Sequence, residues 1–138
     1  MRILKNLSVI ILMIQTFSAC KNVEIPQHLY QRSWKLVEIR GFDKETLIKN
    51  NVTLNLEKNG NIASSGCLTK RVKVKWLSRE RIKIQGFYDI SKDCRVSNLD
   101  QYFMTTLQNV KFYHLDGHSL TLSSKDGQKI KFVAADWD

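Results

Sequence analysis

Proline is almost absent from this chain. Of 138 residues only Pro26 is one, glycine numbers six, and histidine is limited to His28, His114 and His118. There is no Gly-x-Ser-x-Gly elbow to present a nucleophilic serine and no glycine-rich loop to cradle a phosphate. A reactive cysteine would need a nearby base in the fold, and the sequence does not place one. His114 and His118 carry metal-like spacing and, with Cys67 and Cys94, would complete a Cys2His2 zinc set. Asp116-Gly117 lies between them, however, and puts the two rings on either side of a hairpin turn instead of on one helical face. His28 lies in a polar stretch and reads as solvated. Asp89 and Asp93 are the nearest approach to paired carboxylates. Both fall beside turns, where solvated loop residues are the ordinary outcome. The expectation is a protein that is not an enzyme and that holds no metal or cofactor.

A long apolar span is missing too. A membrane-crossing helix needs about 20 apolar residues, and the uncharged run from Asn6 to Cys20 is shorter. What stands there has three parts: a basic start (Arg2, Lys5), an apolar stretch from Leu7 to Phe17 and the small pair Ser18-Ala19. That is the layout of a secretory signal. The cysteine that follows looks like the lipobox of a bacterial lipoprotein, with Phe17 where leucine is usual. The resemblance implies that residues 1–19 are removed and that Cys20 takes lipid and becomes the N-terminus; an ordinary cleaved signal is the alternative. In lipoproteins of enterobacterial type an aspartate after the cysteine retains the protein in the inner membrane. Lys21 therefore implies the outer membrane, with the domain facing the periplasm.

Acidic residues are the third scarcity. Removing residues 1–19 leaves 20 basic against 13 acidic side chains, a net charge of +7 on 119 residues. That length suits one small domain. Behind an export signal the polyanions within reach are phospholipid head groups, lipopolysaccharide phosphates and other acidic envelope polymers, so nucleic acid is not expected. Cys67 and Cys94 then form an even pair in a compartment that permits disulfides. A bridge would close a loop of about 28 residues, worth about 3.5 kcal/mol on the chain-entropy model. Two buried free thiols are the competing reading.

Residues 20–31 are polar, hold the lone proline and read as a tether, with residues 32–138 as the domain. Ser33–Arg40 opens a first strand. Val52, Leu54 and Leu56 alternate with polar neighbours up to Asn59-Gly60, a strong hairpin signal, and Ile62–Ser65 returns. Val72, Val74 and Trp76 alternate with Arg71, Lys73 and Lys75. After a turn at Ser78-Arg79-Glu80, Ile82 and Ile84 alternate with Arg81, Lys83 and Gln85, and Gly86–Ile90 continues that strand or forms a further one. Between Ser97 and Gln108 the period changes: Leu99, Tyr102, Phe103 and Leu107 share one helical face, with Ser97 or Asn98 as cap and Asp100 in the first turn. Val110–Leu115, Ser119–Ser123 and Lys129–Val133 close the chain as a meander through Asp116-Gly117 and Asp126-Gly127. The predicted fold is mainly β, a small antiparallel sheet of seven to eight strands curled barrel-like around its own core, with one α-helix plugging an end. Trp34, Trp76 and Phe132 are expected to fill the interior.

In this order the pieces resemble the META domain of HslJ-type envelope proteins. The carrying residues are Trp34-Lys35-Leu36, Asn59-Gly60-Asn61-Ile62, Ser65-Gly66-Cys67, Ser91-Lys92-Asp93-Cys94, Tyr102-Phe103 with Leu107, Tyr113, Asp116-Gly117, Leu120-Thr121-Leu122 and Lys131-Phe132. Leu68 stands where the family usually has asparagine. The resemblance spans about residues 33–134. It implies a small β-barrel-like fold without assigned catalytic residues, and a loose link to envelope stress and resistance.

One exposed feature is distinctive. If Val72, Val74, Trp76, Ile82 and Ile84 face the core, then Arg71, Lys73, Lys75, Arg81 and Lys83 face out, with Lys70 and Arg79 nearby. Like charges opposed across strands cost about 0.2–1 kcal/mol per pair, a cost that a bound anion would offset. Lysines that guard a sheet edge against aggregation are the plainer reading. The functional expectation is a monomeric envelope lipoprotein whose basic strip contacts lipopolysaccharide or another anionic component. The alternatives are a small-ligand carrier using the barrel interior and an inhibitor module. An inhibitor of basic lysozyme would be acidic, so the charge disfavours that last reading.

Overall fold

The computed structural model describes residues 29, 32–57, 60–90 and 94–137. The expected signal, Cys20, His28, Asn59, Asp93 and nearly all of the tether lie outside the described residues.

Eight strands and two helices follow one another: β1 (Arg32–Glu38), α1 (Lys44–Lys49), β2 (Thr53–Leu56), β3 (Asn61–Ser65), β4 (Leu68–Trp76), β5 (Ile82–Asp89), α2 (Asn98–Gln108), β6 (Val110–Asp116), β7 (Ser119–Ser124) and β8 (Lys129–Ala134). The strands form one antiparallel sheet in the order β5-β4-β3-β2-β1-β8-β7-β6. Alternation along each strand makes one face apolar. A single sheet with one apolar face must curl to bury it. Here it curls into a half-barrel whose edge strands, β5 and β6, touch at one end. Arg81 pairs with Phe112 there, and the Tyr113 amide donates to the Glu80 carbonyl at 2.9 Å.

The interior is filled by side chains from all along the described residues, Leu29 to Ala134. Trp34, Phe103 and Phe132 are fully buried among Leu54, Leu107 and Leu120. Phe103, carried in by α2, meets Phe132 edge-on with ring centroids 6.3 Å apart. Trp76 is only half-buried; it packs edge-on against Tyr113 at 4.9 Å and lines the seam between the two edges.

α2 begins as the periodicity predicts. Ser97 caps it, accepting from the Asp100 amide at 3.1 Å, while Asp100 accepts from the Ser97 amide at 2.9 Å. Asp100 does more than favour the positive end of the dipole. It is 1% exposed, and its other oxygen accepts from the Ser65 hydroxyl at 2.9 Å. Next to Ser65, Gly66 turns the chain at φ +49°, and a Cβ there would meet Asp100 Oδ1 at 3.1 Å and Asn50 Oδ1 at 3.2 Å. Cys67 then bridges to Cys94, with Cα atoms 5.6 Å apart. Of the two readings of these cysteines, the disulfide is the one observed. It and the capping pair fasten the start of α2 to the β3–β4 turn.

Two expectations need correction. The first is the number of helices: α1 was not expected. Asp43 caps it through the Thr46 amide at 2.7 Å, and Leu47 is its one buried residue. A six-residue helix with a single core contact shows no periodicity to read. The second is the end of the tether. Leu29 is fully buried, and its carbonyl faces the Trp34 indole N–H at 3.5 Å. The core therefore recruits a residue before 32, because Trp34 needs cover and a partner for its N–H. Elsewhere the differences are in length: β4 starts at Leu68 and β5 runs on to Asp89.

Candidate functional site

The cationic face stands on β4 and β5. Val72, Ile82 and Ile84 are buried, Val74 and Trp76 half-buried, and Arg71, Lys73, Lys75, Arg81 and Lys83 exposed. The strands pair with Lys75 directly opposite Lys83, Lys73 opposite Gln85 and Arg71 opposite Tyr88. Between the last two pairs β5 has two residues, Gly86 and Phe87, against the single Val72 on β4. This bulge is centred on Gly86, whose φ of +67° is a conformation that a side chain disfavours. It keeps β5 in one piece through the segment that sequence left open. Arg79 is exposed in the turn, where the Ser78 hydroxyl accepts from the amides of Glu80 and Arg81 at 3.3 and 3.1 Å.

Lys70 does not belong to the strip. It shares the inward parity of Val72, lies opposite buried Ala63 on β3, and is ion-paired to Asp89 at 3.3 Å. Alternation alone forbids Lys70 and Arg71 from facing the same way. The pairing also gives Asp89 a structural partner in place of the carboxylate pairing considered from sequence.

The remaining candidates disperse. His114 faces out from β6 beside a shallow hollow of about 450 Å³ that also touches Lys129 and Lys131, and Lys131 is paired to Glu38 at 3.3 Å. His118 lies in the turn itself, after Gly117, stacked on Trp137 with centroids 3.8 Å apart. Neither ring approaches the Cys67–Cys94 bridge, whose sulfurs are committed to each other. Among the described residues no three His, Cys, Asp or Glu side chains gather as metal ligands. Burial pushes the Tyr113 phenol above its ordinary pKa; the hydroxyl donates to the Ser78 carbonyl at 3.2 Å, a structural role that locks the seam.

A curled eight-stranded antiparallel half-barrel with a packed interior, closed at one end by a disulfide-fastened helix, defines a class of small β domain. A family model, the META domain, matches residues 27–137. The chain belongs to the META domain family, and the match begins before Leu29, in keeping with that residue's burial. No curated protein matches the chain significantly. Two solved structures share the fold. A DUF4847 family protein from Bacteroides vulgatus is 14% identical over 78% of this chain and 94% of its own, with a TM-score of 0.54. A protein from Burkholderia xenovorans, solved by NMR, is 13% identical over 86% and 93%, with a TM-score of 0.60.

Proposed function

We propose that the chain is a non-enzymatic lipoprotein of the bacterial outer membrane, tethered through Cys20, that holds its META domain in the periplasm and serves envelope maintenance or stress tolerance. The β4–β5 face contacts anionic envelope components such as lipopolysaccharide phosphates. One observation carries this reading: five cations project from one side of a hairpin, with Lys75 set directly against Lys83 and, among the described residues, no ion pair to either. A like-charge pair costs stability when bare, and an anion laid across the strands removes that cost. The interior, filled by Trp34, Phe103 and Phe132, supplies the rigid support for that face.

The test is co-sedimentation of the Cys20→Ser chain with vesicles containing phosphatidylglycerol. Binding is expected to fall steeply as salt rises past about 0.15 M, where screening acts within about 8 Å. Replacing Lys73, Lys75, Arg81 and Lys83 by serine should abolish it. Unchanged binding by that variant, or binding indifferent to salt, rules the mechanism out. Metabolic labelling with a fatty acid tests the tether separately, because label that persists in Cys20→Ser contradicts it.

A further inference from the structure

The outer face of β4–β5 carries more than charge. Residues set opposite each other across an antiparallel pair share a face. Tyr88, opposite exposed Arg71, therefore stands on the cationic side, as does Gln85, opposite Lys73. The bulge at Gly86 is what puts the ring there. Strict alternation from Ile82 and Ile84 would turn Tyr88 inward; the extra residue reverses the parity, Phe87 packs against the core, and Tyr88 is left 59% exposed. Gly86 also makes room for it. A Cβ there would lie 3.3 Å from Tyr88 Cε2 and 3.7 Å from Cγ and Cδ of Lys73, so the ring and the lysine stem close on the space that a side chain would fill.

A largely exposed ring beside an arginine and a lysine, with a carboxamide on the same face, exceeds what a bare polyanion requires. Guarding an edge calls for charge alone. An aromatic ring adds a flat apolar platform of the kind that the C–H face of a sugar covers. The guanidinium and ammonium suit a phosphate, and the carboxamide suits hydroxyls. We propose that this part of the face binds a phosphorylated sugar, as lipopolysaccharide presents it, with the sugar ring on Tyr88, its phosphate at Arg71 and Lys73 and its hydroxyls at Gln85. The inference rests on the anion-binding reading of the strip and narrows it from any anionic surface to one chemistry. Charge disfavours a second copy, from a chain of net charge +9, whose own strip would meet this one cation to cation. A single-stranded nucleic acid stacks successive bases on several rings, and among the described residues the outward rows of β4 and β5 supply one.

The experiment is an NMR titration of the Cys20→Ser chain with glucose 1-phosphate, glycerol 3-phosphate and glucose. The two phosphates carry the same charged group, and only one of them carries a ring. Glucose 1-phosphate is expected to shift the Arg71, Lys73 and Tyr88 amides saturably. It should bind about tenfold more tightly than glycerol 3-phosphate, the factor that burial of about 50 Å² of apolar ring surface supplies. Glucose should bind more weakly than its phosphate. Tyr88→Ser should remove the tenfold difference and leave both glycerol 3-phosphate binding and sedimentation with phosphatidylglycerol vesicles as in the parent, whereas Tyr88→Phe should keep the difference. Equal affinity of the parent for the two phosphates overturns the proposal, as does a difference that survives in Tyr88→Ser. Lipopolysaccharide should displace glucose 1-phosphate; displacement by an oligothymidylate and not by lipopolysaccharide would give the face to nucleic acid and overturn it too. If the sugar preference fails while vesicle binding persists, the ring's role falls alone and the strip still binds anions. A protein that binds neither phosphates nor vesicles brings down both readings.

Discussion

Two outer surfaces of this barrel are built on opposite principles. The β4–β5 face is made from two neighbouring strands, and its cations come from a short stretch of chain between Arg71 and Lys83. A groove at β1 and α1 is assembled from Val37, Lys44, Ile48, Val133 and Trp137, from both ends of the domain. One surface sets like charges against each other, whereas the other exposes apolar area at Ile48 and Trp137. The difference teaches how much of a surface local alternation can encode. A strip written with period two within a hairpin survives folding intact, because pairing only lays one half beside the other. A groove made by bringing termini together has no local signature at all.

Both surfaces rest on the same interior, so the strongest way to break the comparison is to remove their shared support. Phe103→Ala deletes the ring that α2 drives against Phe132, and should cost about 3–5 kcal/mol. Chemical denaturation should show the loss, with the native amide signals of β5 and of α1 failing at the same denaturant concentration. Separate failures would mean that the two faces belong to independently unfolding units.

Next in size is the disulfide. Replacing Cys67 and Cys94 by serine should cost up to about 3.5 kcal/mol on the loop-entropy model. The loss should be lopsided. β4 starts at Leu68, directly after the bridge, whereas β1 lies three strands away. Hydrogen exchange should therefore accelerate more in β4 and the first turn of α2 than in β1. Uniform acceleration would show that the bridge acts on the unfolded chain alone and favours neither face.

The same contrast explains what the sequence made readable. Period-two alternation located the hairpins, the change of period at Leu99, Tyr102 and Phe103 located α2, and Asp116-Gly117 located a turn of the meander. Those are local signals, and the fold is largely their sum. The strip was legible for the same reason, apart from Lys70, whose parity turns it inward towards Asp89. Illegible were the features that depend on tertiary neighbours. Asp100 is polar and stands in a first helical turn, yet Ser65, 35 residues away, makes its burial tolerable. Leu29 lies in a polar stretch, and only Trp34 explains why it is buried. The cap of α1 was present in the letters: Asp43 precedes Glu45 and Thr46 in the pattern of a helix start. A helix that ends after six residues gives that signal no periodic run to confirm it.

A smaller effect sharpens the electrostatic half of the comparison. Lys75 and Lys83 face each other across the hairpin, so Lys75→Glu replaces a repulsion with an attraction. It should stabilise the domain by about 0.2–1 kcal/mol while weakening vesicle binding. If the lysines served only to guard an edge, stability would rise with no change on vesicles. The variant thus separates the two readings of the strip within one protein.

The smallest predicted effect concerns acid and touches only the groove. The Thr46 amide donates to Asp43 and holds its carboxyl below the ordinary value of 3.8. A carboxyl whose pKa is lower folded than unfolded binds protons less readily in the native state. Its contribution is therefore complete above about pH 3.8 and fades as pH falls through the lowered value. Asp43 is fully exposed, so the consequence is local: α1, which carries Lys44 and Ile48 to the groove, loses its cap before the sheet is affected. An NMR titration should show the Thr46 amide shift moving with a midpoint below 3.8, while amides of β4 and β5 stay in place through that step. Asp43→Asn retains an oxygen acceptor and should abolish the midpoint with little loss of helix α1. A midpoint at or above 3.8 would mean that the cap is not formed in solution, and the groove would then lack a firm wall on the α1 side.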